Sequence, residues 1–144
     1  MDLPPISDLL ANLPVPPLAL LLAGAVLLMA GRVGLRPRRD PVRWFDATQR
    51  ARAREYAGGR CEYTSWGRRC ARPAEETDHY IAHARGGATS VTNAVAACRR
   101  HNQAKGAAVL PWWHAKALER RRREYFPPGV PVTVGQRYRL GVAR

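Results

Sequence analysis

Two sets of chemically capable residues interleave between Cys61 and Gly106. The first is thiol and imidazole: eight residues separate Cys61 from Cys70, and only two separate Cys98 from His101. On a helix, positions 98 and 101 lie on one face about a turn apart, so sulfur and ring nitrogen can converge. With two cysteines from a preceding loop they make a Cys3His set of the kind that holds structural zinc, every position filled by protein. A Cys61–Cys70 disulfide and three inert buried cysteines are the competing readings, and His83 is the substitute ligand. The second set is acid, imidazole and amide: Asp78 beside His79, then Gly86 and Gly87, Asn93, Asn102 and Lys105. A histidine, with an ordinary pKa near 6.5, can take a proton from water at neutral pH. One carboxylate and one amide oxygen suit a hard ion, Mg²⁺ or Mn²⁺, with positions left open. A general base beside a Lewis acid is what metal-assisted hydrolysis requires.

These residues need elements to aim them. Asp46 predicts the cap of a helix running to about Ala57, stopped by Gly58 and Gly59. A cysteine-bearing loop over 61–81 leads into a short strand around Thr77 to Ala82, and Gly86 and Gly87 give a permissive turn. Thr92 predicts the cap of a helix from Asn93 to Lys105, ended by Gly106. On that helix Asn102 sits about 40° from Cys98 and about 100° from His101, so one helix serves both sets. A last helix starts at Pro111 and stops before Pro127, and the tail suggests one or two short strands. The segment 59–106 is only about 48 residues, a size that usually needs a metal or a disulfide to hold it.

Taken in order, Asp78-His79, Gly86-Gly87, Asn93, Cys98, Asn102 and Lys105 resemble the HNH endonucleases over roughly Arg60 to Gly106. The resemblance implies an α+β domain, a small ββα-metal nuclease core flanked by helices; the uncharged run near the amino end adds one N-terminal hydrophobic helix. It implies His79 as the general base and Asp78 and Asn102 as ligands of the catalytic Mg²⁺ or Mn²⁺. Asn93 matches the asparagine that braces the loop and keeps the histidine oriented. Cys61, Cys70, Cys98 and His101 match the zinc positions of zinc-stabilised members. The expected activity is hydrolysis of DNA to a 5′-phosphate and a 3′-hydroxyl. The alternative is an inactive, zinc-stabilised nucleic-acid-binding module tethered to a membrane. Two departures stand out: the first cysteine pair is widely spaced, and the second pair ends in His101 where cysteine is commoner. His83 stands where many members carry proline.

Composition agrees with a polyanionic partner. Across 144 residues, 24 Lys and Arg oppose 11 Asp and Glu, a net charge of +13. Such a balance favours a polyanion and disfavours a cationic ligand. Lys105, Arg99 and Arg100 are the candidate phosphate contacts; Arg120 to Arg123, with Trp112, Trp113 and Tyr125, either grip backbone or pack the last helix. Nothing reads as a base-recognition module, so strong sequence specificity is not expected. Three cysteines exclude a fully self-paired disulfide scaffold.

All the charge excess lies in the later part of the chain. Residues 13–31 carry no charge, and Arg32, Arg36, Arg38 and Arg39 follow. Their length is near the lower limit for a membrane span, and the arginines behind it predict a single pass with the nuclease domain cytoplasmic. A product starting near Met29 would lack that span and be soluble and cytoplasmic. The expected divisions are 1–35 for the anchor, 36–58 for a basic juxtamembrane linker and helix, 59–106 for the nuclease core and 107–144 for a basic helix and tail.

Overall fold

The computed structural model describes residues 17–32 and 37–141. The chain falls into two compact units, residues 1–36 and 37–144. In the first, α1 (Pro17–Arg32) is a 16-residue helix of Leu and Ala, opened by a proline whose missing N–H costs nothing at that position. Residues 19–27 are exposed apart from half-buried Gly24.

The expected membrane anchor is not supported. Sixteen residues rise about 24 Å, against a hydrocarbon core of about 30 Å. Among the described residues no helix is long and apolar enough to cross a membrane. The anchoring role of the hydrophobic helix, the membrane as partner through residues 13–31 and the single-pass topology fall with it. Residues 13–16 lie outside the described residues.

The second unit begins with an extended strap, residues 37–45, and then α2 (Ala47–Tyr56). Asp46 and Gln49 form a reciprocal cap: Gln49 N donates to Asp46 Oδ1 at 2.7 Å and Asp46 N to Gln49 Oε1 at 3.0 Å. The helix stops at Gly58 and Gly59, both at positive φ. Strands β1 (Thr64–Ser65) and β2 (Arg68–Arg69) form a hairpin closed by Trp66 and Gly67. Next, β3 (Glu76–His79) pairs antiparallel with β4 (Ala94–Ala97), in the register Asp78↔Val95 and His79↔Ala94. Then come α3 (Arg99–Lys105) and α4 (Trp112–Tyr125). The result is a small α+β domain whose ββα unit, β3-β4-α3, is flanked by α2 and α4.

The helix expected from Asn93 to Lys105 begins only at Arg99, because Ala94–Ala97 is a strand. All four of those residues are buried against β3 and the neighbouring helices. Alanine favours a helix locally, yet pairing with β3 satisfies the backbone while small side chains let α2 and β3 approach. The tail contributes an isolated bridge, Gly87 to Arg137, where one or two strands were expected. At Gly87 a Cβ would lie 1.7 Å from the Ile81 carbonyl oxygen, so no other residue fits the turn.

A polar staple holds α4 to the core. Arg122 and Glu62, each 1% exposed, form a two-pronged ion pair at 2.7 and 3.0 Å. Tyr125 Oη donates to Glu62 Oε1, and Ala96 N donates to Oε2. Thus Arg122 of the basic run is a structural residue, while Arg120 and Arg123 remain exposed. Trp112 and Trp113 are also exposed rather than packed.

Candidate metal centre and adjoining cleft

The hairpin explains the wide first cysteine pair. Cys61 precedes β1 and Cys70 follows β2; Cys70 N donates to Tyr63 O at 2.8 Å, so the ladder brings the two thiols back together. Cys98 caps α3 and His101 lies in its first turn. The three sulfurs and a ring nitrogen of His101 all lie within 4.8 Å of one another. His101 Nδ1 is 3.4 Å from Cys61 Sγ and 3.3 Å from Cys98 Sγ. A zinc tetrahedron with bonds of about 2.0–2.3 Å has edges of about 3.6–3.8 Å, close to these separations. The other ring nitrogen, Nε2, meets Ser65 Oγ at 3.2 Å, the outer contact that fixes a ligating imidazole. All three cysteines are free, so the disulfide reading fails. Burial pushes the Cys61 thiol up to about 12, so a cation must displace its proton. Burial lowers the His101 pKa, helped by Arg100 and Arg72, which keeps the ring in its ligating neutral form. The cluster is consistent with a structural zinc site.

On the same helix, a cleft of about 380 Å³ opens at the end of β3. Asp78, His79 and Asn102 line it, facing Arg39, Arg43, Trp44 and Phe45 of the strap. His79 stacks on Phe45 with centroids 4.2 Å apart, and its Nε2 is 3.0 Å from Thr89 Oγ1. Burial, with the neighbouring His83 and Lys105, lowers the His79 pKa to about 4. The ring is therefore neutral at pH 7.

The carboxylate is more committed. Asp78 is buried and accepts from Tyr63 Oη at 2.6 Å. Lys105 Nζ stands 3.0 Å from Asp78 Oδ2 and 3.3 Å from Oδ1, and donates to His79 O at 2.7 Å. Burial raises the Asp78 pKa, opposed by Lys105 and by the Tyr63 hydrogen bond. Lys105, expected at a substrate phosphate, is instead the buried counter-charge of Asp78. Asn102 donates from Nδ2 to Glu76 Oε2 at 2.6 Å, leaving its amide oxygen to offer. Asn93 is fully buried and is absent from the cleft wall. Its Oδ1 accepts from Ile81 N at 2.9 Å, and its Nδ2 donates to Ile81 O at 3.0 Å and Ala88 O at 2.8 Å. It staples the two arms of the loop that follows His79. Arg99 is exposed and pairs with Glu76 at 3.2 Å; Arg100 is exposed beside it.

Several contributors were not anticipated. The strap was expected to be a juxtamembrane linker, but it walls the cleft with Arg39 and Arg43. His83, the reserve zinc ligand, lies in the cleft with Nε2 2.8 Å from the Asp40 carbonyl oxygen. Thr89 and Glu76 carried no motif of their own. The one available signal was the interleaving of Arg with Trp and Phe over residues 39–45.

This geometry can be set beside known families. Residues 61–108 match the family model of the HNH endonucleases. That stretch, a third of the chain, runs from the first cysteine through α3 and contains the whole Cys3His cluster. The matched segment thus contains the Cys3His cluster and the β3-β4-α3 unit, whereas the strap, α2 and α4 lie outside it. No curated protein and no solved structure matches the chain.

Proposed function

We propose that this chain is a metal-dependent endonuclease that hydrolyses DNA phosphodiester bonds, with His79 as general base. The observation that carries the reading is the single cleft lined by Asp78, His79 and Asn102, with Arg39 and Arg43 opposite. Asp78 and Asn102 would hold Mg²⁺ or Mn²⁺, since both offer hard oxygen donors. Lys105 keeps the His79 carbonyl as a partner when the carboxylate is taken up. The bound ion would supply Lewis-acid stabilisation of the departing oxygen. His79, neutral at pH 7, removes a proton from the attacking water. Arg39 and Arg43 draw backbone phosphate into the cleft, and exposed Arg99 and Arg100 extend the basic surface along α3. These contacts read phosphate rather than base edges, so cutting has little intrinsic sequence preference.

A second reading is a zinc-stabilised nucleic-acid-binding module without catalysis. The closed Asp78–Lys105–Tyr63 arrangement favours it, because both carboxylate oxygens already have partners. Supercoiled plasmid incubated with the full chain in Mg²⁺, in Mn²⁺ and in EDTA separates the two, with folded His79→Ala as control. Metal-dependent nicking, lost in His79→Ala, supports the nuclease. Retarded DNA with no products in either ion supports the binder.

A further inference from the structure

The protons around His79 can be counted, and the count points to which ring nitrogen carries the proton. Thr89 Oγ1 lies in contact with the Val42 carbonyl oxygen as well as 3.0 Å from His79 Nε2. A carbonyl only accepts, so the single hydroxyl proton of Thr89 is directed to Val42. The contact between Thr89 Oγ1 and the imidazole then needs its proton from Nε2. A neutral imidazole carries one proton, which leaves Nδ1 with a free lone pair. Among the described residues, Nδ1 has no hydrogen-bond partner.

The residues that impose this arrangement are themselves held tightly. Thr89 is 1% exposed, and its N donates to Asp40 Oδ2 at 2.9 Å. Asp40, 2% exposed, also accepts from Val42 N through Oδ1 at 2.9 Å, so one carboxylate joins both ends of the relay. Gln49 Nε2 donates to Thr89 O at 3.2 Å, tying the same residue to α2. Phe45 sets the plane of the ring by stacking on it. Everything except Thr89 comes from the strap and α2, outside the HNH segment.

We propose that the strap and Thr89 are a positioning device: the relay His79 Nε2–H to Thr89 Oγ1–H to Val42 O locks the ring tautomer and presents Nδ1 to the cleft. Thr89 is a positioning residue that acts through His79. The use of Nδ1 as the proton acceptor rests on the nuclease reading; the tautomer does not.

The test separates those two claims. Long-range ¹H–¹⁵N correlation spectra of the zinc-loaded full chain, labelled in histidine, report which nitrogen is protonated at pH 7. His79 is assigned by the signal missing in His79→Gln. The expected result is a protonated Nε2 and a bare Nδ1; a protonated Nδ1 in the wild-type protein overturns the proposal, and no variant is needed for that outcome. Thr89→Val keeps the shape and deletes the acceptor, so its His79 shifts should move toward a tautomer average, whereas Thr89→Ser should restore the wild-type pattern. In single-turnover cleavage, Thr89→Val should slow cutting by about 10- to 100-fold with DNA binding unchanged, the scale expected for a misaimed catalytic group. A folded Thr89→Val that cuts at the wild-type rate refutes the positioning role. If the wild type cuts nothing while its spectrum shows Nε2–H, the nuclease reading fails and the tautomer lock stands.

Discussion

Replacing Lys105 with methionine removes the buried partner of a cleft-lining carboxylate and leaves the His79 side chain unchanged. The ammonium is 4% exposed and contacts both oxygens of Asp78, whose side chain is 9% exposed, as well as the His79 carbonyl. Methionine keeps most of the stem and removes the charge, so the change leaves a buried carboxylate without its cation while the Tyr63 Oη donor stays. Breaking a buried pair in this one-sided way costs about 3–5 kcal/mol. The lower figure applies here, because methionine fills the space and Tyr63 stays. In a unit of this size about 3 kcal/mol corresponds to a fall in melting temperature of about 12–18 °C.

The pH dependence has a definite sign. Burial already raises the Asp78 pKa and Lys105 opposes that rise, so removing the lysine raises it further. A raised carboxyl pKa means that the folded state holds its proton more tightly, so stability is lost as pH rises through that range. The deficit of Lys105→Met relative to wild type should therefore be largest at neutral pH and shrink on acidification. Urea unfolding of both proteins from pH 5 to pH 7.5, with zinc content checked throughout, measures it. The double variant Asp78→Asn/Lys105→Met should cost less than the sum of the single changes. A Lys105→Met protein within about 0.5 kcal/mol of wild type at pH 7, a range normal for surface changes, would refute the buried-pair argument.

Three further outcomes follow from the geometry. The purified chain should hold about one zinc, read by native mass spectrometry, and Cys98→Ser should lower both zinc content and stability because metal affinity is part of the folding free energy. Arg39→Ala and Arg43→Ala should each weaken DNA binding and reduce the salt-dependence slope by about one, measured by fluorescence anisotropy across salt concentrations; an unchanged slope removes the strap from the interface. Because the His79 pKa is lowered to about 4, the proposed base is neutral above that value. Single-turnover cleavage at saturating ion should show no loss of activity near pH 6.5, and a half-maximal rate there would contradict the buried, neutral ring.

Much of the site was readable residue by residue. Asp46, Gly58 and Gly59 bounded α2 because capping and positive-φ turns are local events. The Cys98–His101 pair announced a metal cluster because ligand spacing on one turn is also local. The strand Ala94–Ala97 was hidden for the opposite reason: its alanines carry a helical preference, and burial against β3 and α2 overrides it. The uncharged amino-terminal run suggested an anchor by composition alone, whereas the helix it forms has 16 residues.

The sequence by itself determined the donors: thiols, imidazoles, a carboxylate and amides in an order that only a small set of chemistries uses. Tertiary structure decided what each donor is free to do. Lys105 and Asp78 are 27 residues apart, and only the packing of α3 on β3 turns them into a buried pair. Thr89 and Val42 are 47 residues apart, and only the strap folded across the cleft joins them into a relay to His79. Side-chain type is written in the chain, but a proton's position and a charge's partner depend on contacts between distant segments, which no local spacing encodes.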